Sequence, residues 1–190
     1  MKSVLISIQP KWCELIASGK KTIEVRKTVP KLEPPFKMYI YCTQEKRMLT
    51  CFRPGEEWCG HRIEKFTPIH RVCSWSGKVI GEFICSQIST YHYAEMYKPP
   101  DWEESLGDQY YITCGELGST CLSYEELLEY GQGKKLYGLH ISELKIYDKP
   151  KTLSEFRSYN CSVKWENGYP IPTHEIKRPP QSWCYVEELK

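Results

Sequence analysis

No apolar run in the 190 residues is long enough to cross a bilayer, because a spanning helix needs about 20 consecutive apolar residues. The opening stretch MKSVLISIQP runs straight into patterned structure instead of a secretion signal with a cleavage site. The expectation is an intracellular, cytoplasmic protein with no membrane partner. No CxxC pair occurs among the ten cysteines, and thiols in a reducing compartment usually stay free, so neither a disulfide framework nor a zinc finger is expected. Cys51, Cys59, His61, His70 and Cys73 form the one cluster with metal-ligand residue types, but their spacings match no common finger. No metal and no cofactor are therefore expected. Cys13, Cys42 and Cys85 lie within apolar-patterned segments and read as small core residues. Internal repeats and low-complexity segments are absent, and a hydrophobic content of 41% suits one globular domain over 1–190.

The chain also lacks a strong charge of one sign, its formal net charge being +2. The distribution is uneven. Residues 1–47 hold ten basic and four acidic side chains, whereas residues 95–143 hold three basic and ten acidic ones. The positive N-terminal quarter suits a site facing phosphate or another anion; lysines that merely solvate one side give the same count.

That quarter contains the most informative run, Ile6 to Arg26. Pro10 fits the first turn of a helix, where its missing N–H costs nothing, and Trp12, Leu15 and Ile16 then form an apolar stripe. Gly19 ends the helix, and Lys20 and Lys21 follow where terminal carbonyls favour cations. Thr22 to Val29 switches to period two, with Ile23 and Val25 on one face and Glu24 and Arg26 on the other. A lysine beside a carboxylate and a guanidinium projecting the same way makes a small site for an anionic or polar planar ligand. The competing reading is an exposed ion pair and a solvated turn.

Further along, Lys37 to Thr43 reads as a strand, and residues 44–76 as a long loop or insertion in which Arg53, Trp58, His61, Arg62, Arg71 and Trp75 interleave bases with aromatics. Lys78 to Tyr91 is β-branched and aromatic and is expected to be a central strand, with Gly81 marking a bulge or a close approach. Tyr110 to Ile112 is a short strand. Ser123 and Glu126 form a capping box, Leu122 and Leu127 a staple, and Gly131 a terminator for one helix. Tyr137 to Tyr147 alternates as a strand, Thr152 and Glu155 cap a short helix, and residues 160–190 wrap the sheet.

The order of these elements, with Gly19, Lys21, Glu24 and Arg26 in a GxKxxExR spacing after Gln9-Pro10, resembles the ASCH domain, a β-barrel superfamily related to PUA domains. The tail Arg178 to Val186 resembles that of phage and prophage members. The resemblance implies an α+β fold, a barrel of mixed or antiparallel strands with a few short helices, and RNA or nucleotide binding in a cleft beside the motif. Gln9, Lys20, Lys21, Glu24, Arg26, Lys27 and Tyr41 are the expected nucleic-acid-binding residues; Trp12 reads more as core than as a stacking face.

Two other classes of function stay open. One branch of the family hydrolyses the amide of an acetylated cytidine with a lysine in the turn and a threonine three positions later, and another is reported to cleave RNA. Lys21 matches the first requirement, but Glu24 stands at the threonine position and is expected to hold the lysine protonated. Lys21 and Glu24 are thus the candidate catalytic residues if the protein is a hydrolase. The acidic segment Glu95 to Glu143 suits a protein-interaction module instead.

Overall fold

The computed structural model describes residues 1–44, 57–58, 61–62, 75–94, 109–167 and 169–189. Six of the seven residues of the first strand, β1 (Lys2–Ile8), are buried. A strand buried on both faces needs a core on each side. Val4, Ile6 and Ile8 join Met38, Ile40 and Phe83 in one cluster, while Leu5 joins Tyr39, Tyr41, Val79, Phe156 and Val186 in another. The period-two alternation of side chains splits each strand between the two cores. Truncating Ile6, which is fully buried, to alanine removes about 2–5 kcal/mol of stability.

The helix expected at Pro10 is α1 (Pro10–Ala17), with Pro10 in its first turn and Gly19 beyond it at φ +75°. The following strands are β2 (Ile23–Arg26), β3 (Phe36–Cys42), β4 (Glu57–Trp58) and β5 (His61–Arg62). The long strand β6 (Lys78–Tyr91) is followed by β7 (Tyr93–Ala94) and β8 (Gln109–Tyr110). Two helices, α2 (Cys114–Thr120) and α3 (Tyr124–Gly131), precede β9 (Leu136–Lys151), β10 (Arg157–Glu166), β11 (Tyr169–Glu175) and β12 (Trp183–Glu187). No helix among the described residues is long and apolar enough to cross a membrane.

Eight strands form one sheet in the order β11-β10-β12-β1-β3-β6-β9-β2. β1 runs parallel to β3, and the other pairs are antiparallel. The fold is mostly sheet with short helices. The ladder is open, not closed into the barrel expected from the resemblance: among the described residues β2 pairs only with β9, and β11 only with β10. Beside the short edge strand β2, the Thr22 N–H donates to the Ser119 carbonyl of α2 at 3.0 Å. A helix end, not another strand, meets the chain there.

β6 is interior as expected, and Gly81 meets both of its expectations: the ladders shift register beside it, and a Cβ there would collide with the Lys145 carbonyl. Gly131 does not end α3 by taking positive φ; Gln132 does that at φ 50°. Gly131 is required for a different reason, because a Cβ would strike the Tyr110 hydroxyl. The C-terminal segment, expected to wrap the barrel, supplies most of β10 and all of β11 and β12 to the sheet; β12 pairs with β1 from Ile6↔Trp183 to Lys2↔Glu187. The cysteines Cys13, Cys42 and Cys85 are buried. Cys51, Cys59, His70, Cys73, Arg53 and Arg71 lie outside the described residues, and of Trp58, His61 and Arg62 only the strand positions are described. Trp75 is buried in the first core.

Candidate functional site

The turn at Gly19 throws the chain back over the end of α1, where the Lys21 N–H donates to the Leu15 carbonyl at 3.0 Å. That reversal buries the Lys21 side chain, which is 2% exposed. Its ammonium donates to the Thr120 carbonyl at the end of α2, at 2.5 Å, and lies 3.4 Å from Glu24 Oε2. Glu24 is buried too. The other carboxylate oxygen, Oε1, accepts from Arg26 Nη2 at 2.8 Å, and the same Nη2 donates to the Ser7 carbonyl of β1 at 2.6 Å. One carboxylate thus stands between a buried ammonium and a partly buried guanidinium. The two interactions use different oxygens, so neither displaces the other.

Burial is the largest influence on Lys21 and lowers its pKa below the ordinary lysine value; Glu24 opposes it but does not overcome it. Glu24 favours the charged amine, as the sequence suggested, but burial sets the direction of the shift. Removing water disfavours the charged form more than one shared carboxylate restores it. Arg26 Nε is buried and has no hydrogen-bond partner among the described residues. A buried donor without a partner is costly, so the Arg26 side chain, which also lines the cleft, is not held by structural bonds alone.

The cleft above this network has a volume of about 760 Å³. Its lining includes Gln9, Trp12, Lys21, Glu24, Arg26 and Lys27. Trp12 both packs on the core and walls the cleft, with the Lys21 ammonium 4.9 Å from its ring centroid. Lys27 faces the Tyr130 ring at 5.1 Å. Two expected residues do not join them. Lys20 is exposed and outside the cleft lining. Tyr41, at 4% exposure, is sealed in the second core, on the opposite parity of β3 from Met38 and Ile40.

Residues from the acidic segment 95–143 complete the wall: α3 supplies Glu126, Glu129 and Tyr130. Three cations, Lys21, Arg26 and Lys27, therefore face three carboxylates, Glu24, Glu126 and Glu129. The positive N-terminal quarter meets its opposite at the site itself. Thr120, whose carbonyl holds Lys21, had no sequence signal of its own, but Thr113 and Glu116 carry the spacing of a capping box, and the Thr113 hydroxyl does accept from the Glu116 N–H.

A family profile described as the ASCH domain matches residues 6–148. Among solved structures, the chain is similar to ASCH from Zymomonas mobilis at 18% identity and a TM-score of 0.46, covering 98% of this chain and 88% of that one. A variant of that protein with a tyrosine changed to phenylalanine gives 18% identity, a TM-score of 0.46, and coverage of 99% and 92%. No curated protein matches the chain.

Proposed function

The chain belongs to the ASCH domain family, and from that premise we propose that it binds RNA, with a nucleotide entering the cleft over Lys21, Glu24 and Arg26. ASCH domains are linked to RNA binding or hydrolysis. The observation that supports the reading is the buried Lys21–Glu24–Arg26 network under a cleft walled by Trp12 and Tyr130. Rings on the wall accept a stacked base, and the Arg26 guanidinium and Gln9 offer hydrogen bonds to its edge. Because the lining cations are matched by carboxylates, affinity comes from the base and its stacking more than from phosphate neutralisation. The resemblance of the tail to phage and prophage members adds a finer assignment to this reading.

The test is the affinity of a labelled single-stranded RNA for wild type, Tyr130→Ala and Lys27→Ala. Both side chains lie at the cleft, outside the buried network, so the fold survives their loss. Weaker binding in both, with a shallow salt dependence, supports the reading; unchanged affinity overturns it. A log–log salt slope steeper than about −2 also contradicts the base-dominated form, since each phosphate of a single strand contributes about −0.7.

Hydrolysis is the second reading, and the lowered pKa of Lys21 favours it. A desolvated lysine is more often neutral, as a base or nucleophile must be. Turnover of RNA or a modified nucleoside by wild type and none by Lys21→Met, measured by mass spectrometry on folded protein, distinguishes catalysis from binding.

A further inference from the structure

A second pocket of about 580 Å³ lies beside the other end of α2 and has the opposite electrostatic character. Its lining holds one carboxylate, Glu116, and no lysine or arginine among the described residues. Tyr111, 61% exposed, presents a free ring at its mouth. Glu116 Oε1 accepts from the Ser89 hydroxyl at 2.7 Å and Oε2 from the Thr113 hydroxyl at 3.1 Å, and the first of these bonds is the main reason its pKa is held below the ordinary carboxylate value. Each oxygen keeps a further lone pair. The carboxylate is half-buried, with 28% of its side chain exposed.

His140 Nε2 lies 2.8 Å from Ser89 Oγ, which brings a serine, a histidine and a glutamate together. The trio is not a nucleophile with its base. Ser89 has a single proton, Glu116 takes it, and the imidazole must then donate to the serine oxygen; no acceptor remains to activate the hydroxyl. The trio instead fixes the carboxylate in place. The Tyr91 hydroxyl is buried close to Ser89 and Glu116, both of which act on its proton.

With a fixed anion, no lysine or arginine in its described lining, and only the His140 imidazole 3.9 Å from that anion, the pocket disfavours phosphate and carboxylate groups. It accepts a planar group that stacks on Tyr111 and turns two adjacent N–H donors to Glu116. Guanine has that edge: the ring N1–H and the exocyclic amino group lie side by side. Adenine and cytosine each place an acceptor next to their amino group, and uracil flanks its one N–H with two carbonyls. We infer that the pocket formed by Tyr111, Thr113, Glu116 and Ser89 is a guanine-selective base site, separate from the cleft over Lys21. Its ligand is free guanosine or a guanine within an RNA strand.

The experiment titrates guanosine, inosine and adenosine into the full chain by calorimetry. Wild type, Glu116→Gln, Tyr111→Ala and the cleft variant Tyr130→Ala are compared. Glu116→Gln keeps an oxygen for Ser89, and Tyr111 is exposed, so folding is preserved. Guanosine is expected to bind more tightly than adenosine and about tenfold more tightly than inosine, which lacks the amino group. Glu116→Gln and Tyr111→Ala each weaken guanosine about tenfold, and Tyr130→Ala leaves it unchanged. If free guanosine is silent, a hexauridylate with one central guanosine, compared with hexauridylate itself, tests the strand as the source. A preference for the guanosine oligomer that Glu116→Gln removes supports the site. No guanine preference in either arm overturns it, as does a preference lost in Tyr130→Ala but kept in Glu116→Gln. The site stands or falls apart from the cleft, because the RNA test there reads Tyr130 and Lys27.

Discussion

The two pockets, one resting on the Thr120 carbonyl at the end of α2 and the other lined by Glu116 near its start, hold charge in different ways. The cleft balances three cations against three carboxylates, burying Lys21 and Glu24 and leaving Arg26 partly exposed. The second pocket keeps one half-exposed carboxylate and stabilises it with neutral hydroxyls. In the first, Lys21, Glu24 and Arg26 depend on one another, so removing one of these three has a large structural effect. In the second, the charge is held by hydroxyls and its loss is mainly a loss of recognition. The difference teaches that stability and ligand selection are separable on the two sides of one seven-residue helix.

Glu24→Gln is the strongest way to break that contrast. It leaves Lys21 and Arg26 buried without their shared anion, and the expected loss is about 3–5 kcal/mol by chemical denaturation. Lys21→Met costs less, because Glu24 keeps Arg26 at 2.8 Å. Equal losses in the two variants would mean the trio does not act as a unit. Tyr130→Ala comes next: base stacking contributes about 1–3 kcal/mol by alanine substitution, so RNA affinity falls about fivefold or more with little change in Tm.

The pH dependence sharpens the same comparison. The folded pKa of Lys21 lies below its ordinary 10.5, so in the window between the two values the unfolded chain binds more protons and stability rises with pH. Tyrosines raised by burial, such as Tyr91 at about 12, act in the opposite direction. The Lys21 contribution is therefore read as the difference between wild type and Lys21→Met from pH 8 upward. Wild type gains on the variant as pH rises; a parallel pair of curves would refute the burial effect. Glu116→Gln is the smallest expected effect, below about 1 kcal/mol, since the amide oxygen still accepts from Ser89.

The site was legible in the sequence where neighbours in the chain are neighbours in space. Pro10, the stripe Trp12–Leu15–Ile16 and Gly19 specify α1 and the turn that delivers Lys21. The Ser123–Glu126 capping box specifies α3 through two reciprocal side-chain bonds, both formed. α2 was missed, because Cys114-Gly115-Glu116-Leu117-Gly118-Ser119-Thr120 has two glycines and no apolar stripe. Its cue, Thr113 three residues before Glu116, is the spacing that marked α3. Tyr41 was misplaced because aromatic character was weighed without strand parity; it shares a face with Tyr39, and that face is core. The charge balance of the cleft was not legible at all, since Glu126 and Glu129 reach Lys21 and Arg26 only through the tertiary fold.

The central claim is that the cleft over the buried trio receives RNA. It is tested most directly by the Kd of a single-stranded RNA for wild type and for Arg26→Lys at one salt concentration, with folding of both checked by Tm. A lysine places its donors differently and cannot reproduce the planar guanidinium that Arg26 sets in the cleft wall, so the account predicts at least about tenfold weaker binding. Equal affinity in two folded proteins would contradict it.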